Sequence, residues 1–248
     1  MSLKEGKGDP MVRAESVKTV SGRNAKYDGH IFEQSVCDYL NHEHDKQYVV
    51  DGKSGTKIDI HSVDMTERIS IKKVPTNTQV GLITQDRFIE AMGIDDPNLI
   101  LFIRQFFGGD DYSHYPRHRM TKNDIDSRLN EKFVSFLNQN RRRIFEIAIT
   151  EGSQRQTNNV NLIMFPLKRH DVNTLVKINL EKMLNCFDED GFWVQNNTTF
   201  HFEYSGSKLF ALQMFGAGEK YTNGYHGLQF RINCGKIYST NRFNENCK

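Results

Sequence analysis

Lys57-Ile58-Asp59-Ile60-His61-Ser62-Val63 and, four residues on, Arg68-Ile69-Ser70-Ile71-Lys72 read as two short strands joined by a turn. Strand side chains alternate between faces. Ile58 and Ile60 are therefore predicted on one face, with Asp59 and His61 on the other. In the second strand Ile69 and Ile71 share a face, and Ser70 and Lys72 share the opposite one. A four-residue turn over 64–67 pairs Val63 with Arg68, His61 with Ser70 and Asp59 with Lys72, with facing Cβ atoms about 4.5–5.5 Å apart. The isoleucines then meet a core, and Asp59, His61, Ser70 and Lys72 gather on one side. A cross-strand Asp–Lys pair is also an ordinary surface feature, worth roughly 0.2–1 kcal/mol.

The helix that precedes this hairpin adds an acid. His30 to Asn41 (HIFEQSVCDYLN) carries an apolar stripe through Phe32, Val36 and Tyr39, with Ile31, Cys37 and Leu40 beside it. Glu33 sits at i, i+3, i+4 and i+7 with Val36, Cys37 and Leu40, so it heads a packing stripe and is predicted to point inward. A glutamate at a helix start also has a plain reading, favoured by the helix dipole. An inward acid, a strand aspartate and a strand lysine together suit a hard-cation site. Oxygen ligands fit Mg2+, and the lysine supplies fixed positive charge.

The wider chain bounds the answer. Its 248 residues are ample for a large core, and 37% are hydrophobic. No apolar run approaches the roughly 18 residues of a membrane span. The polar start from Met1 to Pro10 has no apolar signal region. The cysteines Cys37, Cys186, Cys234 and Cys247 show no CxxC spacing, which excludes a zinc ribbon and fits a reduced, cytoplasmic protein. Net charge is only +2, yet His114 to Arg169 holds eleven Lys and Arg against five Asp and Glu. A single-sign region of that size suits phosphate. Residues 1–22 read as a flexible arm and 23–248 as a single domain.

Other expected elements are a strand at Gln47–Val50, helices at Thr84–Met92, Asn98–Phe107 and Val172–Asn185, and a long helix, or a helix followed by a strand, over Ser127–Thr150. Further strands are expected at Asn161–Pro166, Phe192–Val194, Thr199–Tyr204, Leu209–Phe215 and Gly227–Ile232. Helices and strands mix without regular βαβ alternation. That predicts an α/β fold of the α+β kind, with a central mixed sheet flanked by helices.

The order Glu33 on a helix, Asp59 on a strand, then Ser70-Ile71-Lys72 on the next strand resembles the PD-(D/E)xK nucleases. More of the chain is similar to one branch, the small type II restriction endonucleases that cut four-base palindromes, MspI-like and GCGC-cutting. The similar segments are Ala25-Lys26-Tyr27-Asp28-Gly29, Gly55-Thr56-Lys57-Ile58-Asp59-Ile60, Leu137-Asn138-Gln139-Asn140-Arg141 and Leu228-Gln229-Phe230-Arg231-Ile232, in the same order along the chain. The resemblance implies a restriction-endonuclease-like fold, with a catalytic N-terminal half and a DNA-recognition C-terminal half. It implies a Mg2+-dependent endonuclease of double-stranded DNA that leaves 5′-phosphate and 3′-hydroxyl ends, in a bacterial or phage-encoded restriction system. It implies a monomer, with dimerisation on DNA open. Asp59, Lys72, Ser70 and Glu33 would be catalytic. Asp59 and Glu33 would bind metal, with His61, Glu67 or the Ile71 carbonyl as further donors. Ser70 stands where the motif usually has an acid, so a DNA-binding protein without activity is the alternative.

DNA-contact candidates come from four clusters. Arg117, Arg119 and Lys122 lie in an aromatic–basic loop, Arg141 begins an arginine triplet, and Lys168 and Arg169 follow a strand. Lys220, Asn223, Gln229 and Arg231 belong to an amide-rich stretch suited to reading bases. Gln229 and Arg231 alternate with Leu228, Phe230 and Ile232, which puts them opposite the core. His42-Glu43-His44 and Gly216-Ala217-Gly218 lack the context that metal or nucleotide binding needs.

Overall fold

The computed structural model describes residues 28–51, 57–73, 78–107, 127–151, 159–196, 199–215, 227–240 and 244–246. The expected N-terminal arm, and the candidates Arg117, Arg119, Lys122, Lys220 and Asn223, lie outside the described residues. The fold is mixed α/β, with two sheets and flanking helices. The expected mixed sheet flanked by helices is present, and a second, five-stranded sheet accompanies it.

The first sheet is mixed. It contains β1 (Tyr48–Val50), β2 (Ile60–Ser62), β3 (Arg68–Ile71), β5 (Leu162–Pro166), β6 (Leu175–Asn179) and β11 (Asn244–Asn246), in that order across the sheet. β3 and β5 run parallel, while every other neighbour is antiparallel. Parallel neighbours need a long crossover. Here it is the chain from 72 to 161, which carries β4 (Thr78–Ile83), α2 (Gln85–Met92), α3 (Pro97–Phe107), α4 (Ser127–Gln139) and α5 (Arg141–Phe145).

Helix α1, residues 28–43, covers one face of this sheet. Its buried Phe32, Val36, Cys37 and Leu40 pack with Ile60, Ile69, Ile71, Leu162 and Met164. The opposite face turns Ile163, Phe165, Val176 and Ile178 into a larger core. β5 is consequently buried at every position, the pattern of a strand covered on both sides.

That larger core also holds the inner face of the second, fully antiparallel sheet. Its order is β4, β10 (Gly227–Ile232), β9 (Ser207–Phe215), β8 (Thr199–Tyr204) and β7 (Phe192–Asn196). Phe145, Phe187, Trp193, Phe202 and Phe210 form one ring cluster, with centroids as close as 4.6 Å. Each such buried ring contributes roughly 1.5–3 kcal/mol.

Several sequence expectations are corrected. Val172–Asn185 is not one helix. It is a 3-10 turn (Val172–Thr174), strand β6, then α6 (Leu180–Asp190). The run Leu175-Val176-Lys177-Ile178-Asn179, with β-branched Val176 and Ile178, pairs with β5, and the Asn179 side chain caps α6 by accepting from the Lys182 N–H. Ser127–Thr150 breaks at Asn140 into α4 and α5, then a π-helical segment (Glu146–Glu151) with no strand. β4, β11 and α7 (Cys234–Ser239) were not expected.

Gly191 offers a test of packing. A Cβ built there would run into the Phe202 ring, and its backbone is unstrained at φ −90°. The cost of a side chain is therefore steric alone. Gly191→Ala is expected to destabilise the fold by about 2–3 kcal/mol, read as a lower midpoint in urea. A variant within about 0.5 kcal/mol of the parent would contradict this packing.

Candidate active site

The site forms where β2 begins and β3 ends. The Asp59 N–H donates to the Ile69 carbonyl, and the Asp59 carbonyl accepts from Asp51 N–H, both at 2.9 Å. The observed pairs are Ile60 with Ile69 and His61 with Arg68. The predicted register was off by two residues, because the chain turns tightly with Ser62 N–H donating to Glu67 O and Met65 N–H to Ser62 O. Met65 takes a positive φ of 59° in that turn. Asp59 therefore lies level with Ser70 rather than Lys72.

Residues 57–59 precede the regular strand. Alternation fails there, and Ile58 enters the large core while Ile60 enters the α1 core. Ile69 and Ile71 do share the α1 side, as alternation predicts.

One Asp59 oxygen, Oδ2, accepts from the Ile71 N–H at 2.6 Å and from the Ser70 hydroxyl at 3.2 Å. The Ser70 oxygen in turn accepts from Lys72 Nζ at 2.8 Å. Ser70 is buried, and its hydroxyl links the ammonium to the carboxylate. Asp59 is half-buried. Desolvation is the largest influence and raises its pKa. Lys72 and the two hydrogen bonds oppose this, and the nearby Glu33 carboxylate adds to the rise. Glu33 thus lies within electrostatic reach of Asp59, although it comes from α1. It keeps a fifth of its side chain exposed and meets His30 Nδ1 at 3.0 Å. The structure brings together Glu33, Asp59, Ser70, Ile71 and Lys72. His61 Nδ1 contacts its neighbour's carbonyl, Ser62 O. Glu67 is bound by Lys46, Tyr48 and Lys177.

Two lysines were missed by sequence reasoning. Lys57 Nζ donates to the carbonyls of Val80 and Ala148. Burial first, then Lys72, push its pKa down to about 7, against the pull of Asp59. Its place two residues before Asp59 was the signal for it. Lys73 Nζ and Glu33 Oε1 both approach Gly29, the first 3.5 Å and the second 3.7 Å from a Cβ built there. Its signal was adjacency to Lys72. The Lys72 charge also reaches Cys234, whose thiol burial pushes up to about 12.

The basic candidates sort differently. Arg141 donates to the Asp188 carbonyl, and Arg142 binds Glu146, Glu181, Asn185 and Asp188. Arg143 meets Glu146 at 3.4 Å. Arg141 and Arg142 brace α5 against α6. Lys168 and Arg169 are exposed in the turn after β5, and the adjacent His170 ring stands 5.5 Å from Phe32 of α1.

Gln229 is buried rather than open. It accepts from Gln213 and donates to Gln79, making an amide ladder over β9, β10 and β4. β10 is an inner strand, and the Arg231 Nε finds no hydrogen bond among the described residues.

Among the described residues no group of three His, Cys, Asp or Glu converges on one point. No described helix is long and apolar enough to cross a membrane. No family model matches the chain, and no curated protein does. Among solved structures, the chain is similar to the restriction endonuclease MspI crystallised with its cognate DNA. The TM-score is 0.43 at 13% identity, over 75% of this chain and 69% of that one.

The Asp59 environment generates a stability test. Its carboxyl is raised above the unfolded value, so the ionised form is the one the fold penalises. That penalty sets in as pH rises above the unfolded range and is complete above the folded pKa. An asparagine oxygen can keep both hydrogen bonds without the charge. In EDTA at neutral pH, Asp59→Asn is expected to melt at or above the parent temperature. A clearly lower Tm would show that the carboxylate stabilises the fold.

Proposed function

We propose that this protein is a Mg2+-dependent, site-specific endonuclease of double-stranded DNA, of the type II restriction kind. The observation that carries the reading is the Asp59–Ser70–Lys72 chain, with Ile71 N–H on Asp59 and Glu33 beside it. The order of these residues in the sequence is that of the PD-(D/E)xK motif.

The donor set fits Mg2+. This ion commonly takes one or two carboxylates and completes its shell with water and substrate phosphate. Asp59 and Glu33 are two carboxylates whose mutual repulsion a cation relieves, and Asp59 Oδ1 is not used by the bonds to Ser70 and Ile71. The Ile71 carbonyl is the third donor in this reading. When bound, the ion supplies Lewis-acid polarisation of the scissile phosphate and lowers the pKa of a water.

The protein's own groups do the rest. Ile71 N–H and Ser70 hold the Asp59 carboxylate in one orientation. The bond to Ser70 uses one of the three N–H donors of the Lys72 ammonium. Its remaining donors orient the attacking water and stabilise charge developing on the phosphate. The water oxygen bonds to phosphorus as the bond to the 3′ oxygen breaks. One water proton ends on that oxygen, giving 3′-hydroxyl and 5′-phosphate ends. Lys168 and Arg169 are the described exposed cations that suit the DNA backbone beside α1. Gln229, buried and bonded to Gln213 and Gln79, holds the second sheet rather than meeting a base. Base reading falls in this proposal to Lys220, Asn223 and Arg231 of the same stretch, and a monomer binding duplex DNA in the cytoplasm is part of the same reading.

A second reading, DNA binding without cleavage, rests on Ser70. Its hydroxyl is a weaker ligand than a carboxylate, and here it is already engaged by two partners.

Incubation with unmethylated plasmid or phage DNA is expected to give discrete fragments with Mg2+ and none with EDTA. Asp59→Asn and Lys72→Met are expected to lose cleavage by about 10²–10³-fold, while binding in Ca2+ persists. Ser70→Ala is expected to lose about 10–100-fold, as for partners that orient a metal ligand. Full activity in Asp59→Asn or Lys72→Met would overturn the assignment. A band shift with intact DNA would favour the second reading.

A further inference from the structure

Lys57 stands at a junction of three segments. Its Cα lies two residues before Asp59, and its ammonium donates to Val80 O on β4 and Ala148 O in the π-helical segment. Those two segments already touch through backbone. A Cβ built on Gly81 would lie 2.7 Å from the Ala148 carbonyl, so only glycine permits that approach. π-helical segments interrupt regular hydrogen bonding and leave carbonyls to other donors.

The partners of β4 give the junction its meaning. β4 pairs with β10, and Gln79, the residue before Val80, ends the amide ladder from Gln213 through Gln229. Asp59 belongs to the first sheet and the ladder to the second. The Lys57 side chain crosses from one to the other at half-buried depth. The Lys57 amine donates to two carbonyls on two different segments, so one side chain ties both to the chain beside Asp59. The geometry is that of a strut between the catalytic aspartate and the sheet proposed to read bases.

We infer that Lys57 is a positioning residue that fixes Asp59 relative to β4, so that DNA engaged on the second sheet sets the geometry of cleavage. The role rests on the nuclease reading above. The Lys57 ammonium is spent on the Val80 and Ala148 carbonyls. It acts through Asp59. Its loss is expected to slow the chemical step and to weaken discrimination between the cleavage site and near matches, with little effect on binding.

The full-length parent, Lys57→Met and Lys57→Gln are compared on the parent's own cleavage site and on sites differing by one base pair. Three quantities are read: single-turnover cleavage in Mg2+, equilibrium binding in Ca2+, and amide hydrogen exchange without DNA. For Lys57→Met the cleavage rate is expected to fall about 10–100-fold. Its preference for the parent site should narrow about tenfold, and binding should stay within about threefold, each within the usual range for loss of a buried polar contact. Exchange at Ile58, Asp59 and Ile60 should quicken while β8 and β9 keep their protection. Gln retains a donor for one carbonyl and should fall between parent and Met. It also serves if Met fails to fold.

A folded variant with unchanged rate, preference and exchange overturns the inference. So does a rate loss matched by an equal loss of binding, which marks general damage. A parent that leaves all DNA intact with Mg2+ overturns the nuclease reading and this role together. Altered exchange in the variants then leaves Lys57 as a structural tie alone.

Discussion

The bond from Ile71 N–H to the Asp59 carboxylate holds the site together. Asp59 is fixed through its main chain on two sides, by Ile69 and by Asp51, and through its side chain by Ile71 and Ser70. Few rotations are left to it. The same confinement strips water from the carboxylate and sets it near Glu33. A group held this way is poised rather than comfortable, which is the common condition of residues that need a cation or a substrate beside them. Stability for the region must come from elsewhere, and the isoleucines of β2 and β3 under α1 supply it.

The two cores explain why a site can sit at this point. The first sheet is covered by α1 on one face and by the large aromatic core on the other. Polar side chains on its strands therefore have little solvent to turn to. Ser70 is buried among strands and survives because its hydroxyl is bonded on both sides. Asp59 and Lys72 emerge where regular pairing stops, one before β2 and one after β3. The end of a rigid sheet gives precision without sealing the groups away.

Much of this was legible in the sequence, and the failures have physical causes. The stripe of Phe32, Val36 and Tyr39, with Cys37 and Leu40 beside it, predicts α1 and the half-buried Glu33 from helical spacing alone, whereas Ile31, expected beside the stripe, is exposed. The residue types at 59, 70 and 72 mark the cluster. The register does not follow from them. It depends on a turn with Met65 at positive φ, which its side chain gives no reason to expect. Leu175 to Asn179 fits a helix or a strand by periodicity, and only its pairing with β5 decides. β4 is concealed by glutamine and glycine, and Gly81 makes sense only once Ala148 lies against it. The arginine triplet reads as a phosphate clamp until α6 supplies Asp188 and Glu181 across the fold.

Ser70 is the residue on which the proposed chemistry turns, and charge balance favours it as it stands. With Ser70 neutral, Glu33, Asp59 and Lys72 leave one net negative charge among the three, before Lys57 and Lys73 are counted. A carboxylate at position 70 would sit against Asp59, whose pKa is already raised by burial and by Glu33. It would also compete for Lys72, whose donor now passes through the hydroxyl. The hydroxyl accepts from the ammonium and donates to the carboxylate at once, a pairing that a second acid could make only when protonated. Loss of one potential ligand is thus exchanged for a fixed orientation of the other two groups. If the proposed Mg2+ is bound, water and phosphate would complete its shell, and orientation of the protein groups would be the scarcer requirement.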